Sequence, residues 1–291
     1  MSQTATELYD KVSAECGRLV TIRYSTSFSL GTRLLSKQFR TAIYSIYGFV
    51  RFADEIVDTF LHVDREKALA EFRADTHKAI NDGFSSNPIL HAYANVTKRY
   101  GIETELTEAF FRSMAMDLNE TRYTDEAYRE YIYGSAEVVG LMCLHVFCEG
   151  DSGKFESLRP AAKRLGAAFQ KVNFLRDLKD DYDLRGRFYF PGTDFGNFNE
   201  TSKAELERDI EADFREALSG ILHLPKGART GVFLAYVYYK ELFAKLRKAS
   251  AKEVMRKRFR IPNILKLFLL LGAYIRMSVL PPAKTEPVTT L

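Results

Sequence analysis

Tyr47, Arg51, Asp54 and Asp58 follow one another at intervals of four, three and four residues in the stretch YSIYGFVRFADEIVDTF. On an α-helix, at about 100° per residue, they fall within an arc of about 60° and form one polar stripe. The rest of that stretch is core-like: Ile43, Ile46, Phe49, Val50, Phe52, Ala53, Ile56 and Val57. A second stretch, FQKVNFLRDLKDDYD, repeats the pattern with Gln170, Asn173, Asp177 and Asp181 spaced three, four and four apart among Phe169, Val172, Phe174, Leu175 and Leu178. Carboxylates in apolar surroundings are costly unless they are paired with cations or bound to metal. Taken singly, each stripe also reads as helix-surface ion pairing, Asp54 with Arg51 and Asp177 with Arg176 or Lys171. Two matching stripes favour a shared purpose, as facing walls with metal ions between them.

Carboxylate and amide oxygens without His or Cys suit the hard ion Mg²⁺, with Mn²⁺ as the alternative. Such ions, together with arginines, neutralise a diphosphate and make it a leaving group. Arg51, Arg176 and Arg187 lie within or just after the stripes, and each can fork onto phosphate oxygens. Departure of diphosphate from an allylic carbon leaves a carbocation, which needs a dry pocket with electron-rich walls. The 22 Phe and 16 Tyr can supply such walls, although most rings in any helical protein simply fill interfaces.

The elements that must hold these side chains are helices. Apolar residues recur at steps of three and four almost throughout, and no alternating run is long enough to suggest a strand. The pattern predicts helices near 5–23, 38–60, 64–82, 88–99, 103–119, 124–148, 154–183, 201–221, 229–249 and 262–279. Breaks fall at NDGFSSNP, CEGDSG, RGRFYFPGTDFGNFN and LPKG, none of them long enough to link independent domains. The expectation is one all-α domain over 1–291, with its core at about 8–270 and a disordered tail at about 281–291.

A chain of 291 residues can bury a full core without a disulfide or structural metal. Its 27% charged content and net charge of +4 point to no nucleic-acid partner. Cys16, Cys143 and Cys148 are odd in number and lack CxxC spacing, and the five histidines lack metal spacing, which argues against a disulfide framework or a zinc site. The first residues lack a basic start followed by an apolar run, so no secretory signal is expected and a cytoplasmic location is. Near the C-terminus LFLLLGAYI is apolar on all sides, but nine residues are too few for the roughly 20 that span a bilayer. It follows the basic KEVMRKRFR, so it reads either as a buried terminal helix or as a peripheral contact with the inner face of the membrane.

The stretches YSTSFSLGTRLL, YGFVRFADEIVD, YIYGSAEVVG and QKVNFLRDLKDDYDLRGRFYFP resemble, in order and spacing, the squalene and phytoene synthase family, over about residues 8–270. Paired DxxxD boxes followed by R-x-Y-x-P are far more specific than a lone acidic box. The resemblance implies an all-α isoprenoid synthase bundle around a central cavity, and head-to-head condensation of two identical prenyl diphosphates. It implies Mg²⁺-diphosphate ligation by Asp54, Asp58, Asn173, Asp177 and Asp181, with Tyr47 and Arg51 in the catalytic set. Gln170 and Arg176 match positions lining the same sites. Phe28, Tyr131, Ala136, Val139 and Gly140 match the cavity wall, and Arg187, Tyr189, Tyr239 and Arg258 the diphosphate side. One departure is Glu137, where the family usually has a small residue; a carboxylate facing the cavity would be hostile, and the sequence leaves open whether it faces the cavity or turns outward.

The wording STSFSL, IYGFVRFADEIVD and GRFYFP looks most like bacterial carotenoid-pathway enzymes. This implies condensation of two geranylgeranyl diphosphates to phytoene through a cyclopropyl (prephytoene) diphosphate, and contacts with other enzymes of that pathway. No nicotinamide cofactor is expected, and no Gly-rich nucleotide fingerprint follows a strand. The alternatives are a squalene or dehydrosqualene synthase using farnesyl diphosphate, and a non-catalytic helical assembly protein, which would be expected to lose acids from one box. A cyclising terpene synthase is disfavoured because the second box lacks that class's Asn-Ser-Glu pattern.

Overall fold

The computed structural model describes residues 4–279. Among them there is no strand, only an isolated bridge between Arg122 and Phe188. The expected tail at 281–291 lies outside the described residues.

The chain opens with α1 (Ala5–Tyr24), started by a capping box between Thr4 and Glu7. Ser25 ends α1 and caps the next helix, α2 (Thr26–Arg33), accepting from the Phe28 amide at 3.2 Å. The sequence pattern does not anticipate α2. Eight residues rich in Ser, Thr and Gly have weak helix propensity, and docking against the rest of the bundle holds them helical. Next comes α3 (Lys37–Asp58), which buries Phe39, Ile43, Ile46, Phe49, Ala53 and Val57. The ring of Phe49 stacks on Tyr93, with centroids 3.8 Å apart, fixing the rotation of α3 about its axis. That rotation turns the Tyr47–Arg51–Asp54–Asp58 stripe away from this core.

Three helices back α3 on its apolar side: α4 (Arg65–Asp82), α5 (Pro88–Tyr100) and α6 (Thr104–Asn119). The stretch expected as a single helix over 124–148 is broken. It forms α7 (Asp125–Ile132), a π-helical turn at Tyr133–Glu137, and α8 (Val138–Cys148). A π turn inserts an extra residue and shifts the side chains that follow it, and such turns are frequent at functional sites. By length and composition Asp125–Cys148 is apolar enough to cross a membrane, but over half of its most apolar window is buried in this bundle.

The longest helix, α9 (Ser152–Arg185), runs for 34 residues through Pro160 and stops at Gly186, whose φ of +66° is left-handed. It packs against α8 at very short range. A methyl group added at Gly166 would lie 2.5 Å from the Ala136 carbonyl oxygen, and one added at Gly140 would lie 2.9 Å from that of Ala162. Only glycine permits this approach, which sets the width of the chamber between the two helices. The bundle closes with α10 (Glu200–His223), α11 (Lys226–Lys248), the short α12 (Ala251–Val254) and α13 (Asn263–Val279), the last packed on α11. Buried side chains form two clusters, one around α3–α6 and α8, the other around α7 and α9–α11.

Candidate active site

Between the two clusters lies a chamber with two chemically different ends. The polar end has a volume of about 600 Å³ and contains both sequence stripes. The apolar end, about 290 Å³, is lined by residues such as Leu35, Ile46, Val139, Phe147, Leu158 and Leu224. Phe28, Tyr47, Val50, Ser135, Phe169, Gln170, Asn173, Ala235 and Tyr239 line both, so the two ends are continuous.

The stripes face each other, and Arg185 is the direct witness. Its guanidinium lies 3.2 Å from Asp58 on α3 and 3.3 Å from Asp181 on α9, bridging the two walls. Each of the other aspartates in the stripes also meets an arginine. Arg51 reaches Asp54 at 2.6 Å and also pairs with Glu55. Arg176 donates from Nε to Asp177 at 2.9 Å, and Arg258 approaches the same carboxylate at 2.7 Å. The pairings of Asp54 with Arg51 and Asp177 with Arg176 therefore exist, but inside the chamber rather than on an outer helix surface. Lys171 points elsewhere, to Asp209 and Asp213.

Burial and crowding of like charge shape the carboxylates. Asp54 is pushed up to about 6, first by desolvation and further by Asp58, against the pull of Arg51. Asp181 is pushed up to about 7 by desolvation and by Asp177, with Arg185 opposing. Burial also drives the Tyr47 hydroxyl up to about 12, so it stays protonated. For Arg176 burial works against the charge, but Asp177 outweighs it and the guanidinium is held ionised.

Every site residue expected from the sequence lines this chamber. Tyr47, Arg51, Asp54, Asp58, Tyr131, Arg176, Asp177, Asp181, Arg187, Tyr189 and Arg258 stand at the polar end. Ala136, Val139 and Gly140 line the apolar end, while Phe28, Gln170, Asn173 and Tyr239 stand where the two meet. The Phe28 ring stacks on Tyr47 with centroids 4.7 Å apart, and Tyr239 stacks on Phe169 at 4.0 Å while donating to Asn173 at 3.2 Å. Glu137 turns outward, meeting Lys163 at 3.1 Å, because the π turn carries it off the cavity wall.

Two residues that matter escaped the sequence reading. Arg185 lies just beyond the expected end of its helix. Asp117, on α6 and 6% exposed, accepts from Tyr131 at 2.8 Å, Tyr189 at 3.1 Å and Tyr123 at 3.4 Å. Arg187 stands 3.5 Å from it and 2.9 Å from Asp58. Burial pushes Asp117 up to about 7 despite the attraction of Arg187 and the Tyr131 hydrogen bond. The available signal was a lone acid three and seven residues beyond Met114 and Phe110, on a face that is otherwise core.

As a cation site the stripes are suitable but incomplete. The donors are all oxygen, and two of the acids are raised first by burial and further by a neighbouring carboxylate, a setting that an added cation relieves. Among the described residues no three acids gather closely enough to hold an ion alone. A hard ion that keeps water and takes phosphate oxygens needs only one or two carboxylates, so the residues fit one bound jointly with a diphosphate. Arg51 Nε is buried with no hydrogen-bond partner, a spare donor in the same place.

An all-helical bundle enclosing an acidic, arginine-rich pocket continuous with an apolar one defines the isoprenoid-synthase class. A solved dehydrosqualene synthase in complex with ligand has this fold: it superposes with a TM-score of 0.78 at 22% identity, covering 94% of this chain and 98% of its own. The squalene/phytoene synthase family model matches residues 21–264. The chain belongs to that family and is a prenyltransferase. Curated relatives include the chloroplastic phytoene synthase of Daucus carota, 30% identical over 94% of this chain and 72% of that protein. The phytoene synthase of Arthrospira platensis is 27% identical over 92% of this chain and 94% of its own.

Proposed function

We propose that this prenyltransferase is a phytoene synthase that joins two geranylgeranyl diphosphates head to head. The observation that carries the reading is the continuous chamber, with two facing aspartate rows at one end and an apolar lining at the other. The named relatives support the choice of product.

The diphosphate groups sit at the polar end, where Arg51, Arg176, Arg187 and Arg258 turn from carboxylates to phosphate oxygens. Asp54, Asp58, Asp177 and Asp181, with Asn173, would hold Mg²⁺ at this end of the chamber. When bound, the ion supplies Lewis-acid neutralisation of the leaving diphosphate. The prenyl chains lie along Phe28, Val139 and the apolar end, where no water competes for a cation. One substrate loses diphosphate, and the double bond of the second attacks its C1. Loss of a proton gives the cyclopropyl diphosphate. A second departure of diphosphate, rearrangement and a further proton loss yield the hydrocarbon, with no reductant required. The rings of Tyr47, Phe28 and Phe169 face this space and stabilise positive charge through their π faces.

The test is to incubate purified protein with Mg²⁺ and either geranylgeranyl or farnesyl diphosphate, with and without NADPH, and to identify the hydrocarbon. Phytoene from the longer substrate without NADPH is the expected result. Preferential use of farnesyl diphosphate would make it a squalene or dehydrosqualene synthase. Failure to turn over either would point to the assembly role.

A further inference from the structure

Asp117 is a buried acid with no part in the steps proposed above. It stands on α6 at the polar end of the chamber, beside Tyr131, Tyr189 and Arg187. Its two oxygens are not used alike. Oδ1 faces three donors, Tyr189 at 3.1 Å, Tyr123 at 3.4 Å and the Arg187 guanidinium at 3.5 Å. Oδ2 takes the Tyr131 hydroxyl alone, at 2.8 Å, the shortest contact of the four.

The Tyr131 ring cannot swing. Tyr189, Tyr123 and Phe174 pack around it with centroids 5.1, 5.3 and 5.8 Å away. Burial holds its phenol protonated, so the one freedom left is the direction of the O–H bond. Conjugation keeps a phenol O–H in the plane of its ring, so the hydrogen has two positions and a lone pair takes the other. Asp117 claims the hydrogen. The lone pair is left for the chamber that Tyr131 lines, where the proposed reaction develops positive charge on an allylic carbon. A hydroxyl turned the other way would present its positive hydrogen to that charge.

We propose that Asp117 is a positioning residue, which sets the direction of the Tyr131 hydroxyl and so keeps an electron pair, rather than a hydrogen, facing the cation. The cation comes from the reaction proposed above; the direction of the hydroxyl comes from the Asp117 geometry alone. Asp117→Asn separates this role from packing. An amide has one accepting oxygen and one donating nitrogen. Three donors hold the oxygen on the Oδ1 side, so the nitrogen faces Tyr131. The phenol must then accept, its hydrogen turns to the chamber, and the polarity of the group is reversed with hardly a change of shape.

At about pH 7.5, Asp117→Asn should lower kcat about a hundredfold, change KM less than about threefold and lose no thermal stability. Tyr123→Phe, which removes only the 3.4 Å donor on Oδ1, should keep kcat within about twofold. In a Tyr131→Phe background, where there is no hydroxyl to turn, Asp117→Asn should cost less than about twofold more. A second arm needs no turnover: calorimetry of geranylgeranylamine, an ammonium ion at that pH, and of geranylgeraniol, each with Mg²⁺ and inorganic diphosphate present. Asp117→Asn should weaken the amine about tenfold and the alcohol less than about twofold, and the difference should vanish in the Tyr131→Phe background. Near-wild-type kcat, equal losses for amine and alcohol, or a loss that persists without the Tyr131 hydroxyl would overturn the proposal. If neither prenyl diphosphate is turned over, the function proposed above fails and the binding arm alone decides the role of Asp117.

Discussion

An Asp117→Asn substitution keeps the shape of the side chain at the polar end of the chamber and removes its proton equilibrium. In the folded protein burial pushes this carboxyl from 3.8 up to about 7. Between those values the folded state holds a proton that the unfolded chain has released. Stability from this group is therefore complete below pH 3.8 and lost as pH rises through about 7. A displacement of about three pH units corresponds to roughly 4 kcal/mol in all, of which about 2–3 kcal/mol falls between pH 5 and pH 7.5. Asp54 and Asp181 slope the same way, but they remain in both proteins, so they largely cancel in the comparison. Urea denaturation of wild type and Asp117→Asn at the two pH values should show the variant gaining about 2–3 kcal/mol relative to wild type at the higher pH. Parallel curves, with a difference constant to within about 0.5 kcal/mol, would refute the claim that burial of Asp117 dominates its neighbours. Asp117→Ala serves as the contrast. It leaves the Tyr131 and Tyr189 hydroxyls without their acceptor, at about 1–3 kcal/mol each, and should be less stable than Asp117→Asn at every pH.

Asp54→Ala or Asp177→Ala should lower turnover by about a hundredfold or more with unchanged helical circular dichroism, since each removes a chamber carboxylate and no core packing. Binding of inorganic diphosphate with Mg²⁺ should weaken as pH falls from 7.5 to 5.5, because Asp54 and Asp181, raised to about 6 and about 7, must ionise to receive the cation; calorimetry at both pH values reads this directly. Gly166→Ala should cost about 1–3 kcal/mol in urea denaturation, as its methyl would meet the Ala136 carbonyl at 2.5 Å and force the π turn from α9. Glu137→Ala should change stability by less than about 1 kcal/mol and leave the product unaltered, because its pair with Lys163 lies outside the chamber.

Much of the site could be read from the sequence because its grammar is local. Asp54 and Asp58, or Asp177 and Asp181, share a face by virtue of helix period alone, and the apolar residues around them say that this face is not an ordinary exterior. That the two faces look at each other is not local; the shared polar end and the Arg185 bridge make it visible. Asp117 was illegible for a related reason. Its partners Tyr123, Tyr131, Tyr189 and Arg187 come from the loop before α7, from α7 itself and from the loop after α9, and no spacing rule joins them. The helix α2 eluded the pattern because packing rather than propensity makes it helical, and the π turn because its effect is a rotation that hydrophobic periodicity over 124–148 averages away. Glu137 shows the gain: a residue that reads as a defect on a regular helix becomes harmless once that rotation is known.

Because each aspartate of the two rows already grips a guanidinium, the vestibule is its own placeholder. Six aspartates and five arginines line it, so its charge is nearly neutral as it stands. On the function proposed above, an arriving cation and diphosphate would be received by exchange: the acids would pass to the cation and the arginines to the anion, so that no buried charge would be left alone along the way. Filling such a site is a change of partners, and emptying it restores the old ones.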